Sequence, residues 1–255
     1  MHILLVNDDG IGAVGIMALL RAAEKRGHRV TMCAPASQMS AASQRITLSE
    51  PIMVREYPVA DSGCTAWAIA GTPADCVRVA LCPGGLVTDP VDMVISGINK
   101  GENAGTAVYY SGTVSAAREA SLLGIRAIAA SVLVGADPAY LDGLADFVIE
   151  VAQRYLSAPF TPADVLNINA PRLPREKWAG VHYAPLSRAH FQDSYDRRHH
   201  PRVGSYFWLA DTDFTAPPEE GSDLWYLQRG CTVLTLISTP TCAPESAFRE
   251  MNLLG

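Results

Sequence analysis

Charge is scarce in this chain of 255 residues: Asp, Glu, Lys and Arg supply 18% of it, and 26 acidic against 20 basic side chains leave a formal net charge of −6. With a pI near 5.5 it lacks the basic face of a dedicated nucleic-acid binder, so no nucleic-acid partner is expected. A small anionic substrate stays open, because a bound metal ion supplies positive charge locally. Long apolar runs are missing too. The stretch from Ala127 to Ala136 falls far short of the roughly 20 residues that span a bilayer, and no membrane partner is expected. His2–Val6 reads as a strand of the mature fold rather than as a leader. The six cysteines (33, 64, 76, 82, 231 and 242) form no CxxC pair and no Cys/His metal spacing, so buried reduced thiols and a cytoplasmic setting are expected. Repeats and low-complexity tracts are absent, which with the composition excludes fibrous and disordered classes.

What is present is apolar: 49% hydrophobic residues and a mean hydropathy of +0.11, enough to bury a site inside one large domain. Strand and helix alternate through the first two-thirds. Short aliphatic runs predict strands at His2–Val6, Arg29–Cys33, Arg45–Arg55 (around Pro51), Thr65–Ile69, Asp92–Ile95, Ile125–Val132 and Val165–Asn169. Helical spacing predicts helices at Val14–Arg26, Ser111–Leu123 and Pro138–Leu156. Thr72 and Pro73 fit the cap and first position of another helix, ending near Leu81. Buried parallel strands separated by helices make a doubly wound, mostly parallel α/β sheet. The chain is expected to be one domain: a core over 1–179, a hairpin and extension over 180–230, and a returning strand (Thr232–Ile237) with a closing helix or tail at Ala243–Leu253 over 231–255. Cys76, Trp67 and Met93 are assigned to packing.

Three segments carry phosphate-like signals. The first strand ends in Asn7-Asp8-Asp9-Gly10, and ligands in open α/β sheets bind at such ends. Two adjacent carboxylates there are costly without a positive partner. A divalent cation such as Mg²⁺ or Mn²⁺ suits hard oxygen donors; the simpler reading is that an Asp caps the next helix. Gly10, Gly12 and Gly15 also match the dinucleotide pattern G-x-G-x-x-G. That reading is rejected, because Asp8 and Asp9 would oppose a pyrophosphate and no acidic residue follows the second strand. Asp211-Thr-Asp213-Phe-Thr215 imitates a phosphatase nucleophile motif, but too little chain follows to build crossovers around it, and a local turn is expected instead. A second strand end supports the metal reading. Ser96-Gly-Ile-Asn99 offers a neutral amide oxygen, Gly101 to Gly105 allow close backbone approach, and Ser111-Gly112-Thr113 opens a helix whose N-terminus can seat an anion.

These residues resemble the SurE family of stationary-phase survival proteins, which act as nucleotidases. The resemblance rests on I-L-L-V-N-D-D-G at 3–10, Gly15-Ile16, Ala34-Pro35, Gly71-Thr-Pro-Ala-Asp-Cys76, Val94-Ile-Ser-Gly-Ile-Asn99, Asn103, Gly105, Tyr110-Ser-Gly-Thr-Val114, Leu166-Asn-Ile-Asn169 and Pro171. It implies a Rossmann-like core with a protruding β-hairpin and a C-terminal segment used in oligomers, here a homodimer or homotetramer. It implies metal-dependent hydrolysis of nucleoside 5′- and 3′-monophosphates, with possible exopolyphosphatase activity. Carried over residue by residue, it places one Mg²⁺ or Mn²⁺ per subunit on Asp8, Asp9, Ser40 and Asn99, and phosphate on Asn103, Ser111, Gly112 and Thr113. Asp8 and Asp9 are the candidate catalytic residues. The serine loop, Pro35-Ala-Ser-Gln-Met-Ser40-Ala-Ala-Ser43, departs from the family's pattern, so Ser37 and Ser43 stand beside Ser40 as alternatives. A non-catalytic nucleotide or phosphate sensor is the competing expectation. Arg197, Arg198, His199, His200 and Arg202 form a basic cluster, read either as a solvated hairpin face or as a contact to substrate across a subunit interface.

Overall fold

Aliphatic strands with no polar alternation demand cover on both faces, and helices supply it. In the computed structural model, which describes residues 1–159, 161, 164–214 and 216–238, the strands are β1 (His2–Val6), β2 (Arg29–Pro35), β3 (Val54–Glu56), β4 (Thr65–Ile69), β5 (Met93–Lys100), β6 (Arg126–Val132), β7 (Val165–Ala170), β8 (Val181–Tyr183), β9 (Phe191–His200), β10 (Gly204–Phe214) and β11 (Thr232–Ile237). Nine of them form one sheet in the order β3-β4-β2-β1-β5-β6-β7-β11-β8, while β9 and β10 pair as a separate two-stranded ribbon. The strands from β4 across to β7 are parallel. β3 joins the edge antiparallel to β4, and β11 lies antiparallel to β7.

The helices are α1 (Val14–Lys25), α2 (Pro73–Leu81), α3 (Gly112–Leu122), α4 (Leu141–Tyr155) and α5 (Asp223–Leu227). Alternation along β1 divides its side chains between two layers. Ile3 and Leu5 pack with Ile16 and Leu19 of α1 and Leu144 and Val148 of α4. Leu4 and Val6 pack with Val77 of α2 and Val114 and Ala117 of α3. Burying each such aliphatic side chain stabilises the fold by about 1.5–3 kcal/mol. Strand order reverses at β1, since the chain runs outward to β2 and β4 and then returns to β5. That reversal opens a crevice beyond the carboxyl ends of β1 and β5, where such sheets bind ligands.

Several sequence expectations need correction. Arg45–Arg55 is not one strand; only Val54–Glu56 pairs with a neighbour. Pro51 has no N–H to donate, and the segment before it bonds to α2 instead: Thr72 Oγ1 donates to the Arg45 carbonyl at 2.6 Å and the Thr47 N–H to Asp75 Oδ1 at 2.8 Å. β5 does not stop at Ile95 but runs to Lys100 beside β6, with a register shift between Ser96 and Asn99. Gly97 makes that continuation possible, since a Cβ there would lie 2.3 Å from the Ala130 carbonyl oxygen. Asp211–Asp213 is no turn. It lies within β10, where Asp213 stands opposite Gln192 of β9. Thr72 does cap α2, with its hydroxyl accepting from the Asp75 N–H and Asp75 accepting from the Thr72 N–H. Cysteines 33, 64, 76, 82 and 231 are free; Cys242 and the expected Ala243–Leu253 element lie outside the described residues. No helix among the described residues is long and apolar enough to cross a membrane.

Candidate active site

The crevice begins at a turn that its own side chains fix. Asn7 Nδ2 donates to the Gly10 carbonyl at 2.8 Å, and the Gly10 N–H returns to Asn7 Oδ1 at 3.1 Å. Gly10 sits at φ +103°, a conformation that a side chain would strain. Asp8 and Asp9 are thereby presented to the crevice. Neither caps α1, whose cap residue is Ala13, without a side-chain bond.

Asp8 is 5% exposed, and its Oδ1 accepts from the Thr113 hydroxyl at 2.6 Å. Burial pushes its carboxyl above the usual range; the Thr113 bond opposes this and the Asp9 charge adds to it. Burial also raises Asp9, against the Lys100 N–H, which donates to Asp9 Oδ2 at 3.1 Å, and the Lys100 charge. Neither carboxylate belongs to an ion pair among the described residues. A buried and a half-buried carboxylate so arranged are short of positive charge.

The other walls come from three segments. At the end of β5, Asn99 Nδ2 donates to the Gly101 carbonyl at 2.8 Å, which leaves its Oδ1 as an open acceptor. Gly15 lets α1 press against this strand, since a Cβ there would lie 2.0 Å from the Ile98 oxygen; close packing explains one glycine of the rejected dinucleotide pattern. The serine loop is pinned on both sides of Ser40. The Met39 N–H donates to the Asp8 carbonyl at 2.8 Å, and the Ser43 N–H to the Tyr110 carbonyl at 3.0 Å. Ser43 spends its hydroxyl on the Tyr109 carbonyl, whereas Ser40 Oγ accepts from Gln38 Nε2 at 2.9 Å and lines the crevice. Ser111 caps α3 by accepting from the Val114 N–H at 3.0 Å.

Asp8, Asp9, Ser40, Asn99, Asn103 and Ser111 thus meet around one cleft of about 180 Å³, joined by Lys100 and Tyr110. A second cavity of about 330 Å³ shares Asp9, Asn99 and Lys100 and is walled by Val14, Val132 and Leu141. Gly112 and Thr113 are not on the cleft surface. Thr113 is fully buried and holds Asp8, and a Cβ on Gly112 would lie 2.9 Å from the Asp8 Cβ. The start of α3 therefore braces a carboxylate through Thr113 and Gly112, while Ser111 lines the cleft.

A profile of the family described as "Survival protein SurE" matches residues 3–193. The chain belongs to the SurE family. Among its relatives, the 5'-nucleotidase SurE of Heliobacterium modesticaldum is 39% identical over 93% of this chain and 86% of its own length. The 5'-nucleotidase SurE of Desulfitobacterium hafniense is 40% identical over 92% of this chain and 90% of its own. The crystal structure of the SurE protein from Aquifex aeolicus superposes with a TM-score of 0.80 at 29% identity, covering 100% of this chain and 99% of that one. Beside Lys100, the polar side chains that line the SurE cleft of this chain offer carboxylate, amide and hydroxyl oxygens and no sulfur or imidazole. Among its described residues no group of three or more His, Cys, Asp or Glu side chains is placed to hold a metal. What the cleft holds instead is a pair of carboxylates with an amide oxygen and a hydroxyl beside them, a set that fits a hard divalent cation.

Sequence reasoning missed Lys100 and Tyr110 as parts of the cleft, although each adjoins a predicted residue. It also missed Ser131 and Asn169, which contact Asn103. The LNIN run at 166–169 was visible, but nothing local shows where its asparagines point.

Proposed function

We propose that this chain is a 5′-nucleotidase, hydrolysing nucleoside 5′-monophosphates to nucleoside and phosphate with the help of Mg²⁺ or Mn²⁺. The observation that carries the reading is the adjacent carboxylates of buried Asp8 and half-buried Asp9, neither in an ion pair among the described residues, facing one cleft with Asn99 and Ser40. These four residues would hold the cation, which would neutralise them and polarise a phosphoryl oxygen so that the phosphorus opens to attack by water. Thr113 keeps Asp8 fixed, so the donor set needs little rearrangement. Asp9, oriented by the Lys100 N–H at Oδ2, would beside its part in holding the cation take the proton of the attacking water. Asn103 and the Ser111 hydroxyl, which line the cleft, would donate to phosphoryl oxygens as charge develops on them. Val14, Val132 and Leu141 give the neighbouring cavity an apolar wall for the nucleoside. The 3′-monophosphate and polyphosphate activities implied by the family belong to the same site. A homodimer or homotetramer assembled through the ribbon, and a cytoplasmic setting that keeps the thiols reduced, complete the proposal.

Phosphate release from AMP with Mg²⁺ and Mn²⁺ tests it. Asp8→Asn is expected to lower kcat by about 10²–10³-fold, the scale for loss of one preorganised charge-stabilising group, and EDTA to abolish turnover. Full activity under either condition would reject the metal role. Tight calorimetric binding of AMP by the wild-type protein without turnover would favour the sensor instead.

A further inference from the structure

A strand buried on both faces is normally filled with aliphatic side chains, yet β7 reads Val-Leu-Asn167-Ile-Asn169-Ala, with Asn167 fully buried and Asn169 only 1% exposed. Asparagine is a poor strand former, and a buried amide costs stability wherever a polar atom lacks a partner. Asn167 bears such a cost: its Oδ1 is buried with no hydrogen bond. Both side chains are directed at one residue. Asn169 Oδ1 accepts the Asn103 N–H at 2.8 Å. The Asn103 carbonyl accepts from Asn167 Nδ2 at 2.7 Å and from Asn169 Nδ2 at 3.1 Å. From the neighbouring strand, the fully buried Ser131 accepts from Asn103 Nδ2 at 2.8 Å.

The loop around Asn103 has left the sheet and cannot satisfy its backbone there. Side chains replace the missing strand partners. The Gly101 N–H reaches the Val132 carbonyl at 2.9 Å, and the Gly105 N–H reaches the buried Asp223 Oδ2 at 2.8 Å. Between those two ties, every main-chain polar group of Asn103 is bonded to a rigid strand, and so is one amide hydrogen of its side chain. The second hydrogen on Nδ2 is left for the cleft that Asn103 lines.

We infer that Ser131, Asn167 and Asn169 are positioning residues that aim the Asn103 amide at the phosphoryl group; the inference rests on the nucleotidase reading. The chemistry is directional. An amide at 169 both accepts from the Asn103 N–H and donates to its carbonyl. A carboxylate there would set two acceptors against each other. Ser131 fixes the plane of the Asn103 amide, and without it the side chain regains rotamer freedom.

The test uses the full-length, Mn²⁺-loaded protein, reading AMP hydrolysis, inorganic phosphate and AMP affinity by calorimetry, Mn²⁺ affinity and Tm. Ser131→Ala is expected to lower kcat/KM for AMP about tenfold, the scale of one hydrogen bond to a charged group, and to weaken phosphate binding while Mn²⁺ affinity stays within twofold. Asn169→Asp should lose more activity, and Asn169→Ser guards against its failure to fold. In the Asn103→Ala background, Ser131→Ala should cost nothing further. A full additional loss in that double variant would overturn the inference, because Ser131 would then act by another route. Unchanged kinetics of Asn103→Ala would overturn it as well, while leaving a nucleotidase built on Asp8 standing. A wild-type protein that binds AMP without turnover fails the nucleotidase reading alone, and the cycle of variants is then scored on AMP affinity.

Discussion

The crevice at the ends of β1 and β5 and the ribbon of β9 and β10 spend their side chains in opposite ways. In the crevice, polar groups are buried and bonded: Asn7, Asp8, Asn103, Ser131 and Asn169 are all nearly inaccessible, and each has a partner from another segment or its own turn. In the ribbon, apolar groups are left in water. Tyr195, Phe207, Trp208 and Leu209 are all more than half exposed, and a two-stranded ribbon has no second layer to cover them. Among the described residues, the basic side chains beside them bond within the ribbon, Arg198 with Asp196 at 3.0 Å and Arg197 with Ser205 Oγ at 3.2 Å. One chain finishes its site but does not finish its surface. On the proposed function, chemistry is thus encoded within the subunit, and the ribbon's unburied aromatic surface serves assembly.

The sharpest way to break this contrast is to disturb the crevice by a single methyl group. A Cβ at Gly112 would stand 2.9 Å from the Asp8 Cβ, 3.0 Å from Asp8 Oδ2 and 3.0 Å from the Pro73 Cγ. Gly112→Ala must displace Asp8 or the start of α2. Overpacking of this kind costs about 1–3 kcal/mol, and a carboxylate moved by a fraction of an ångström loses its catalytic geometry. We expect kcat/KM for AMP to fall by about two orders of magnitude, as misplacement of a reacting group commonly does, with a lowered Tm. Phosphate-release kinetics beside a thermal melt would settle it; an active variant would mean that the Asp8 position is not what the site depends on.

Gly112 also shows where the sequence was legible and where it was not. Features closed within a few residues could be read directly: the aliphatic run of β1, the Thr72-Pro73 helix start, the acidic pair after a strand. The family motifs then named six residues that do share a cleft. What stayed hidden is long-range. Thr113 is 105 positions from the carboxylate it braces, so nothing near it in the sequence pointed to that bond. Ser131 and Asn169 look like ordinary strand residues until β6 and β7 are laid beside the loop. The segment from Arg45 was misread for the same reason, because Asp75 and Thr72 on α2 claim its polar groups. The misreading of Asp211–Asp213 as a turn has a different origin. Acidic pairs favour turns locally, but register with β9 kept this one extended.

The ribbon offers the complementary experiment. Replacing Phe207 and Trp208 together by Ser should reduce the mass measured by light scattering after size-exclusion chromatography, since large exposed aromatics anchor interfaces. Activity per chain should change by less than about threefold, because nothing in the crevice rests on those residues. Unchanged mass would remove the ribbon from assembly. A collapse of AMP turnover together with the mass would instead favour the reading in which Arg198 or Arg202 reaches substrate across the interface.

The smallest effect belongs to charges that are paired but not buried. Between α1 and α4, Arg26 bonds Asp146 and, at 3.1 Å, Glu150, which also accepts from Arg175 at 2.6 and 3.0 Å. The Arg26 bond holds the Asp146 carboxyl below its ordinary 3.8, and the Arg175 bond holds Glu150 below its ordinary 4.5. A carboxyl depressed by folding contributes stability that is complete above its unfolded value and disappears as pH falls through the folded one. The contribution is therefore present at pH 7 and lost below about pH 4. These side chains are 22–36% exposed, so solvent limits each pair to about 0–1 kcal/mol. Arg26→Met should lower Tm at pH 7 by about 2 °C or less, and the gap from wild type should close by pH 3. A gap that persists there would mean that the arginine stem packs, rather than that its charge pairs. A gap that closes would show that pairing without burial adds little, which is why the desolvated partners of the crevice, and not its count of polar contacts, set it apart from the ribbon.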